Sequence, residues 1–391
     1  MHLSDDGPTL GVVGGGQLGR MLGEAAGPLG VRVVVSDPTP NCPASPVVDE
    51  QVVGAFDDHE TVRAVAERSD VLTYEIELAD PDTLAAVAEE TGTPVHPHPE
   101  TLRTIQDKLV QNDAFAEAGI PLPEYHRVDD AADLRAAGDA LGWPVMLKAR
   151  TGGYDGRGNV PVEGPEEAAA ALAEVGAGDD GALAERMVPF DRELAVIGCR
   201  GADGQTAAFP VTETVHEAEI LRATVSPART DRATRERARE VALDVLDTLE
   251  GRGVFGIELF EQSGAEDTIL VNEVAPRPHN SGHWTIEGCS TSQFGQHVRA
   301  VLGWPLGATD RRCPTASVNL LGKGEVRPAR LAGVEDLLAV QGAALHWYGK
   351  REVRPLRKMG HVTLPGDATD IHGADALLSR ARHLPDQVTF A

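Results

Sequence analysis

The stretch WPVMLKARTGGYDGRGN, residues 143–159, decides how this chain folds. It opens as an apolar strand, VMLKA, and runs into TGGYDGRG (151–158), four glycines in eight residues, before β character resumes at Asn159. Phosphate-binding glycine loops of the Rossmann and Walker types lead from a strand into a helix. This one lies between two strands, so it reads as a flap whose backbone closely approaches phosphates while Arg157 adds a planar cation. Lys148 ends the strand before it, and a charge on an apolar strand is costly without an anionic partner.

Helices and strands alternate outward from that flap. Upstream, DKLVQNDAFAEAG and DAADLRAAGDALG read as helices around a strand at IPLPEYHRV; downstream, GPEEAAAALAEV is a helix and ALAERMV a strand. The chain opens with TLGVV, the turn GGGQLG, the helix RMLGEAAGPLG and the strand VRVVVSD. It continues through VVGAF, DHETVRAVAERS, DVLTYE and PDTLAAVAEET, which predicts an open sheet of four parallel strands. After ELAVIGCR and TAAFPVTETV, both of β character, come a helix from Thr230 to Leu249, the strands VFGIELFEQ and TILVNEVA, and the helix SQFGQHVRAVLG. Short strands at PTASVNLLG, AALHWYG and HVTLP end the pattern. The fold class is therefore α/β: an open parallel domain over 1–106, a body over 107–305 with a lid over about 107–185, and a small β-rich domain over 306–391.

The 391 residues carry 61 acidic against 35 basic side chains, a net charge of −26 that repels nucleic acid phosphates and anionic membranes and excludes both as main partners. Only five of the basic residues are lysines, Lys108, Lys148, Lys323, Lys350 and Lys358. This acidic, lysine-poor balance resembles the surfaces of proteins from salt-adapted cytoplasms, where salt screens carboxylate repulsion. Lysines retained in such a chain are candidates for sites that need a compact cation. Cys42, Cys199, Cys289 and Cys313 form no C-x-x-C pair and no disulfide pattern, and there is no apolar leader or membrane span, so the protein is expected in the cytoplasm.

Four further groups of residues carry chemistry. Gly14, Gly16 and Gly19 spell G-x-G-x-x-G after a strand, with Asp37 ending the next one, a turn that offers backbone N–H groups to a phosphate or ribose; a tight packing turn uses the same glycines. Glu258 in FGIELF and Glu273 in LVNEVA stand near the facing ends of adjacent strands, which can place two carboxylates and the Asn272 amide around hard cations bridging phosphates. PRPHNSGH (276–283) then gathers Arg277, His279, Asn280, Ser281 and His283 into a polar wall, without the ligand spacing of a zinc site. Lys350, Arg351, Arg354, Arg357 and Lys358 fall within nine residues, a cluster suited to a phosphate-bearing substrate.

With these motifs in order, TGGYDGRG at 151–158, N-E-x-A-P-R-x-H-N-S-G-H-W-T at 272–285, and H-W-Y-G-K with R-P-x-R-K-x-G-H at 346–361, the chain resembles the N5-carboxyaminoimidazole ribonucleotide synthase family, ATP-grasp enzymes of purine biosynthesis. The resemblance spans nearly the whole chain, including GGGQLGRM at 14–21. It implies an N-terminal pre-ATP-grasp domain, an ATP-grasp body and a small C-terminal portion, assembled as a homodimer. It also implies carboxylation of 5-aminoimidazole ribonucleotide by bicarbonate, with ATP cleaved to ADP and phosphate through carboxyphosphate and with Mg2+ as cofactor.

Residue by residue, the resemblance implies that Lys108 and Lys148 neutralise ATP phosphates under a flap of Gly153, Tyr154, Asp155, Gly156, Arg157, Gly158 and Asn159. Glu185, Arg186, Met187 and Val188, with Glu193, hold adenine and ribose; His216 lies nearby, and Asn272 and Glu273 border the nucleotide. Glu258 and Glu273 hold magnesium. Tyr154, Asp155, Arg157 and His279 surround bicarbonate or carboxyphosphate and the attacking amine, Asp155 or His279 managing its proton. Lys350 and Arg357 grip the ribonucleotide phosphate, and Gln17 and Glu75 line that pocket. Two positions depart from the family pattern: E-R-M-V after the lid strand, where glutamine is frequent, and Leu356, where glycine is common. Competing readings are another ATP-grasp carboxylate–amine ligase, such as a formate-dependent glycinamide ribonucleotide transformylase, and, more distantly, a nicotinamide-dependent dehydrogenase built on the G-x-G-x-x-G turn.

Overall fold

A computed structural model describes residues 7–152, 158–176, 178–264, 268–369, 371 and 373–391. Strands Thr9–Val13, Arg32–Asp37, Glu50–Val53 and Val71–Tyr74 form a parallel sheet in which the first strand lies between the second and the fourth. Successive residues of a strand face opposite sides, and both sides are covered. Leu10, Val12, Val33 and Val35 pack on the Gln17–Ala26 helix through Leu18 and Leu22, while Val13, Val34 and Leu72 pack on the His59–Ala66 and Pro81–Thr91 helices. Asp58 and Asp80 cap those two helices, accepting from the Thr61 and Thr83 N–H groups.

The body is one antiparallel sheet of nine strands. Its order is Ile269–Ala275, Gly253–Glu261, Arg192–Arg200, Thr212–Glu217, Ile220–Ser226, Thr315–Leu321, Lys358–Pro365, Ala344–Trp347, with Thr206–Ala208 beside Arg192–Arg200. TAAFPVTETV makes two strands, interrupted where Pro210 has no N–H to donate. The three C-terminal strands continue this sheet, Ala223 to Ser226 pairing with Val318 to Thr315, so hydrogen bonding runs unbroken past residue 305. The Arg232–Thr248 helix buries Val241, Val245 and Leu246 against Leu194, Val196, Phe255 and Ile257. A C-terminal helix, Ala374–Arg382, absent from the sequence reading, packs Leu377 and Leu378 on Val318, Leu320 and Val362.

A separate antiparallel sheet, Tyr125–Val128, Ala182–Arg186, Val145–Ala149, Asn159–Val162, carries the Ala131–Leu141 and Ala168–Val175 helices on its apolar face. Lys148 pairs with Asn159 across the last two strands, so the glycine flap joins two paired strands, as its sequence context predicts. No helix among the described residues is long and apolar enough to cross a membrane, and all four cysteines are buried and unpaired.

Candidate active site

The N-terminal glycine turn is filled by the chain's own carboxylates. The Gly16 N–H, at the start of the Gln17–Ala26 helix, donates to Glu75 Oε1 at 2.7 Å, and the Gly15 N–H donates to Asp37 Oδ2 at 3.3 Å. A Cβ on Gly16 would stand 2.7 Å from the same Glu75 oxygen. The partial positive charge of the helix start is thus met internally. The Gly15 and Gly16 N–H groups of the turn expected to seat a phosphate or ribose are satisfied within the chain. Burial pushes the Glu75 carboxyl up to about 7 against the lowering effect of the Gly16 N–H. One residue on, Gln17 Oε1 accepts from Lys350 Nζ at 2.8 Å, which brings the C-terminal basic segment onto the N-terminal domain.

Lys148 joins lid to body. Its Nζ lies 2.5 Å from Glu185 Oε2 on the neighbouring lid strand and 3.3 Å from Asn272 Oδ1 on the outermost body strand. Glu185 also accepts from Asn112 Nδ2 at 3.1 Å, so the buried carboxylate has two donors. The Arg186 guanidinium turns outward to Glu124. Met187 is half-buried and Val188 buried. The Asn159 Oδ1, opposite Lys148, is buried without a hydrogen-bond partner.

Glu258 and Glu273 are register partners on the two outermost body strands. Glu258 is largely buried and Glu273 half-exposed, with Lys108 Nζ 3.8 Å from Glu273 Oε1. Burial first, and the Glu273 charge second, push the Glu258 carboxyl up to about 7. Gly256, two residues earlier, leaves room for His279: a Cβ there would come within 2.3 Å of the His279 Cβ. His279 Nε2 stands 3.8 Å from Glu258 Oε1, and His279 Nδ1 lies 2.9 Å from Ser281 Oγ and 3.4 Å from the Ser281 backbone nitrogen. Burial holds this imidazole neutral. His216 Nδ1 is 2.8 Å from Glu193 Oε2; burial lowers its pKa, but that hydrogen bond and the Glu258 charge outweigh burial and leave it raised.

In the C-terminal segment, Lys350 Nζ also donates to the Lys358 carbonyl at 2.6 Å and lies over the Tyr348 ring, while the Arg357 guanidinium donates to the Glu352 carbonyl at 2.8 Å. Leu356 takes the left-handed conformation, φ +64°, so the turn that glycine commonly makes is kept with a bulkier residue.

Of the expected site residues, Gly153, Tyr154, Asp155, Gly156 and Arg157 lie outside the described residues. Two neighbourhoods gather most of the others, while Arg357 is turned to the Glu352 carbonyl and Arg186 to Glu124. Lys108, Lys148, Glu185, Asn272, Glu273, Glu258, His279, Glu193 and His216 meet between lid and body; Gln17, Glu75 and Lys350 meet at the N-terminal helix. Asn272 serves Lys148 in place of a cation. Lys358, expected as a candidate cation but given no specific role, acts through its charge on Glu258, His216 and His279, and the site expectations omitted Asn112, which orients Glu185. The scarcity of lysine was the signal for Lys358; nothing local marked Asn112.

Comparison with known proteins places three family models along the chain: a ribonucleotide synthetase preATP-grasp domain at 8–106, an ATP-grasp domain at 113–294 and a phosphoribosylaminoimidazole carboxylase C-terminal domain at 315–372. The N5-carboxyaminoimidazole ribonucleotide synthase of Brucella melitensis is 41% identical over 91% of this chain and 96% of its own length. The chloroplastic phosphoribosylaminoimidazole carboxylase of Vigna aconitifolia is 44% identical over 97% of this chain; the chain spans 68% of that protein and 65% of the Schizosaccharomyces pombe carboxylase. Among solved structures, the Thermotoga maritima N5-carboxyaminoimidazole ribonucleotide synthetase matches with TM-score 0.85 at 40% identity, covering 97% of this chain and 98% of its own. The Aspergillus clavatus synthase, in complex with ADP and 5-aminoimidazole ribonucleotide, matches with TM-score 0.88 at 36% identity, covering 98% of this chain and all of its own (100%). With identity, coverage and all three domain models in agreement, the chain belongs to the N5-carboxyaminoimidazole ribonucleotide synthase family of ATP-grasp proteins.

Proposed function

We propose that this chain carboxylates the exocyclic amine of 5-aminoimidazole ribonucleotide with bicarbonate, cleaving ATP to ADP and phosphate and yielding N5-carboxyaminoimidazole ribonucleotide for purine biosynthesis. The observation that carries this reading is the position of Lys148, parked between a lid carboxylate and a body amide directly beside the Glu258–Glu273 pair. Carboxylate carbon is a poor electrophile, so bicarbonate needs a phosphate leaving group, and the protein's task is to orient and neutralise phosphates.

In this reading Lys148 and Lys108 exchange their carboxylate partners for ATP phosphates, and the backbone of Arg186 to Val188 borders the adenine. Glu258 and Glu273 fit magnesium: they are hard oxygen donors in register, and the repulsion that raises the Glu258 pKa is relieved by a divalent cation. Magnesium held by Glu258 and Glu273 would supply positive charge against phosphate oxygens. His279, held neutral by burial, and Asp155 surround bicarbonate or carboxyphosphate and the attacking amine, one or the other managing its proton. Lys350 and Arg357 bind the ribonucleotide phosphate, with Gln17 and Glu75 against the same ligand. A cytoplasmic homodimer with a salt-adapted surface completes the proposal.

The test is ADP release from ATP and bicarbonate with and without aminoimidazole ribonucleotide. Release that depends on the ribonucleotide supports the reading; release driven instead by formate and glycinamide ribonucleotide overturns it.

A further inference from the structure

Four of the five lysines belong to the cleft described above; Lys323 does not. It follows the Thr315–Leu321 strand, is exposed, and its side chain makes no ion pair or hydrogen bond among the described residues. It lines a groove of about 500 Å3 between that strand, the Ile220–Ser226 strand and the last residues of the chain. The floor is apolar: Val318, Leu320, Leu321 and Phe390. Four cations, Arg222, Lys323, Arg327 and Arg382, face two acids, Glu217 and Asp386, a local surplus of positive charge in a chain of net charge −26.

That surplus is concentrated at two atoms. Arg327 is spent on the carbonyls of Lys323, Glu325 and Phe390 and closes one end of the groove. Arg382 is paired with Glu217 at 2.7 Å. Arg222 donates its terminal nitrogen to the Glu217 carbonyl, and its Nε, buried without a hydrogen bond, lies 3.9 Å from Glu217 Oε2, so Arg222 and Arg382 share one carboxylate. One carboxylate shared by two guanidiniums leaves a positive charge over, and the Lys323 ammonium stands at the same groove; an anionic oxygen offsets both. A bare anion would leave the apolar floor wet. Asn319, also lining the groove and nearly buried, donates its amide nitrogen to the Leu221 carbonyl and leaves its oxygen open to an amine. The volume falls within the usual range for small-molecule sites.

We propose that this groove is a second ligand site that takes an adenine mononucleotide, with the phosphate on Lys323 and Arg222, the base against Leu321 and the Phe390 ring, and the exocyclic amine on Asn319. The proposal does not depend on the reaction assigned to the ATP-grasp cleft. The test is calorimetric titration of the full chain, its ATP site first saturated with ADP and magnesium, using AMP, adenosine and inorganic phosphate in separate runs. AMP should bind at a single saturable site, with adenosine and phosphate each at least about tenfold weaker. Lys323→Ala, a change at an exposed and unpaired side chain, should weaken AMP by about tenfold or more while leaving ADP affinity and the thermal midpoint unchanged. Arg222→Gln should weaken it likewise. Absence of AMP binding once ADP is loaded, or an AMP affinity unchanged in both variants, overturns the proposal.

Discussion

The Lys148 ammonium and the Glu185 carboxylate form an ion pair of 2.5 Å inside the lid, with side-chain exposures of 9% and 7%, and the same ammonium reaches Asn272 of the body. The pair holds the ammonium on one lid strand while the same group reaches the body sheet.

Removing one partner of a buried pair strands the other charge, at a cost of about 3–5 kcal/mol. Lys148→Met should therefore loosen the lid sheet locally as well as abolish ATP turnover. Hydrogen exchange at the amides of Val145–Ala149 and Ala182–Arg186 should quicken while the body strands are unaffected. Unchanged lid protection would show that the pair has no structural weight.

Glu273→Gln keeps shape and removes charge. It should abolish turnover in a folded protein and, by deleting the neighbour that helps raise Glu258, lower the Glu258 pKa. Magnesium dependence of ADP release is the first measurement and carboxyl titration by NMR the second. Near-normal activity would sink the metal assignment.

Lys350 and Arg357 are assigned to the ribonucleotide phosphate. A charge-assisted hydrogen bond contributes about 1.5–3 kcal/mol, so Lys350→Ala or Arg357→Ala should raise KM for aminoimidazole ribonucleotide by roughly ten- to a hundredfold with KM for ATP little changed. An equal loss of ATP affinity in both variants would move the cluster to the nucleotide.

Glu75 supplies a pH signature. Burial raises its folded-state pKa from 4.5 to about 7, so the folded state holds the proton more tightly than the unfolded chain. Its contribution is fully present below pH 4.5 and is lost as pH rises through about 7. Glu75→Gln, which cannot ionise, should gain on the order of 2 kcal/mol over the parent at pH 8 and almost nothing at pH 5. Urea unfolding at the two pH values measures the difference, and an equal difference at both would refute it.

A net charge of −26 makes the folded state self-repelling, so the thermal midpoint should climb steeply with added KCl. A midpoint independent of salt would make the acidic surface incidental.

Local pattern revealed much of this molecule. The flap between Lys148 and Asn159 is readable because apolar strand residues flank it on both sides, and the Glu258–Glu273 rung because both acids interrupt apolar strands. What the pattern could not show is who satisfies whom at long range. The Gly16 N–H finds its acceptor 59 residues away, and Gln17 its lysine 333 residues away. Both contacts depend on how strands order themselves in space, which period and propensity do not encode. The glycine fingerprint shows the same limit: any anion satisfies a helix start, and in this fold Glu75 meets the Gly16 N–H. Leu356 shows the converse, a residue of unfavourable type held at φ +64° by its surroundings.

The unbroken body sheet has a kinetic meaning. The strand bearing Glu258 and the strand beginning at Lys358 belong to one hydrogen-bonded sheet, while the lid has a sheet of its own. If Lys350 and Arg357 anchor the ribonucleotide phosphate as proposed, movement of the lid sheet would leave the span from that anchor to the Glu258–Glu273 pair unaltered, and a ribonucleotide whose amine lies too near to or too far from its own phosphate should bind without being carboxylated.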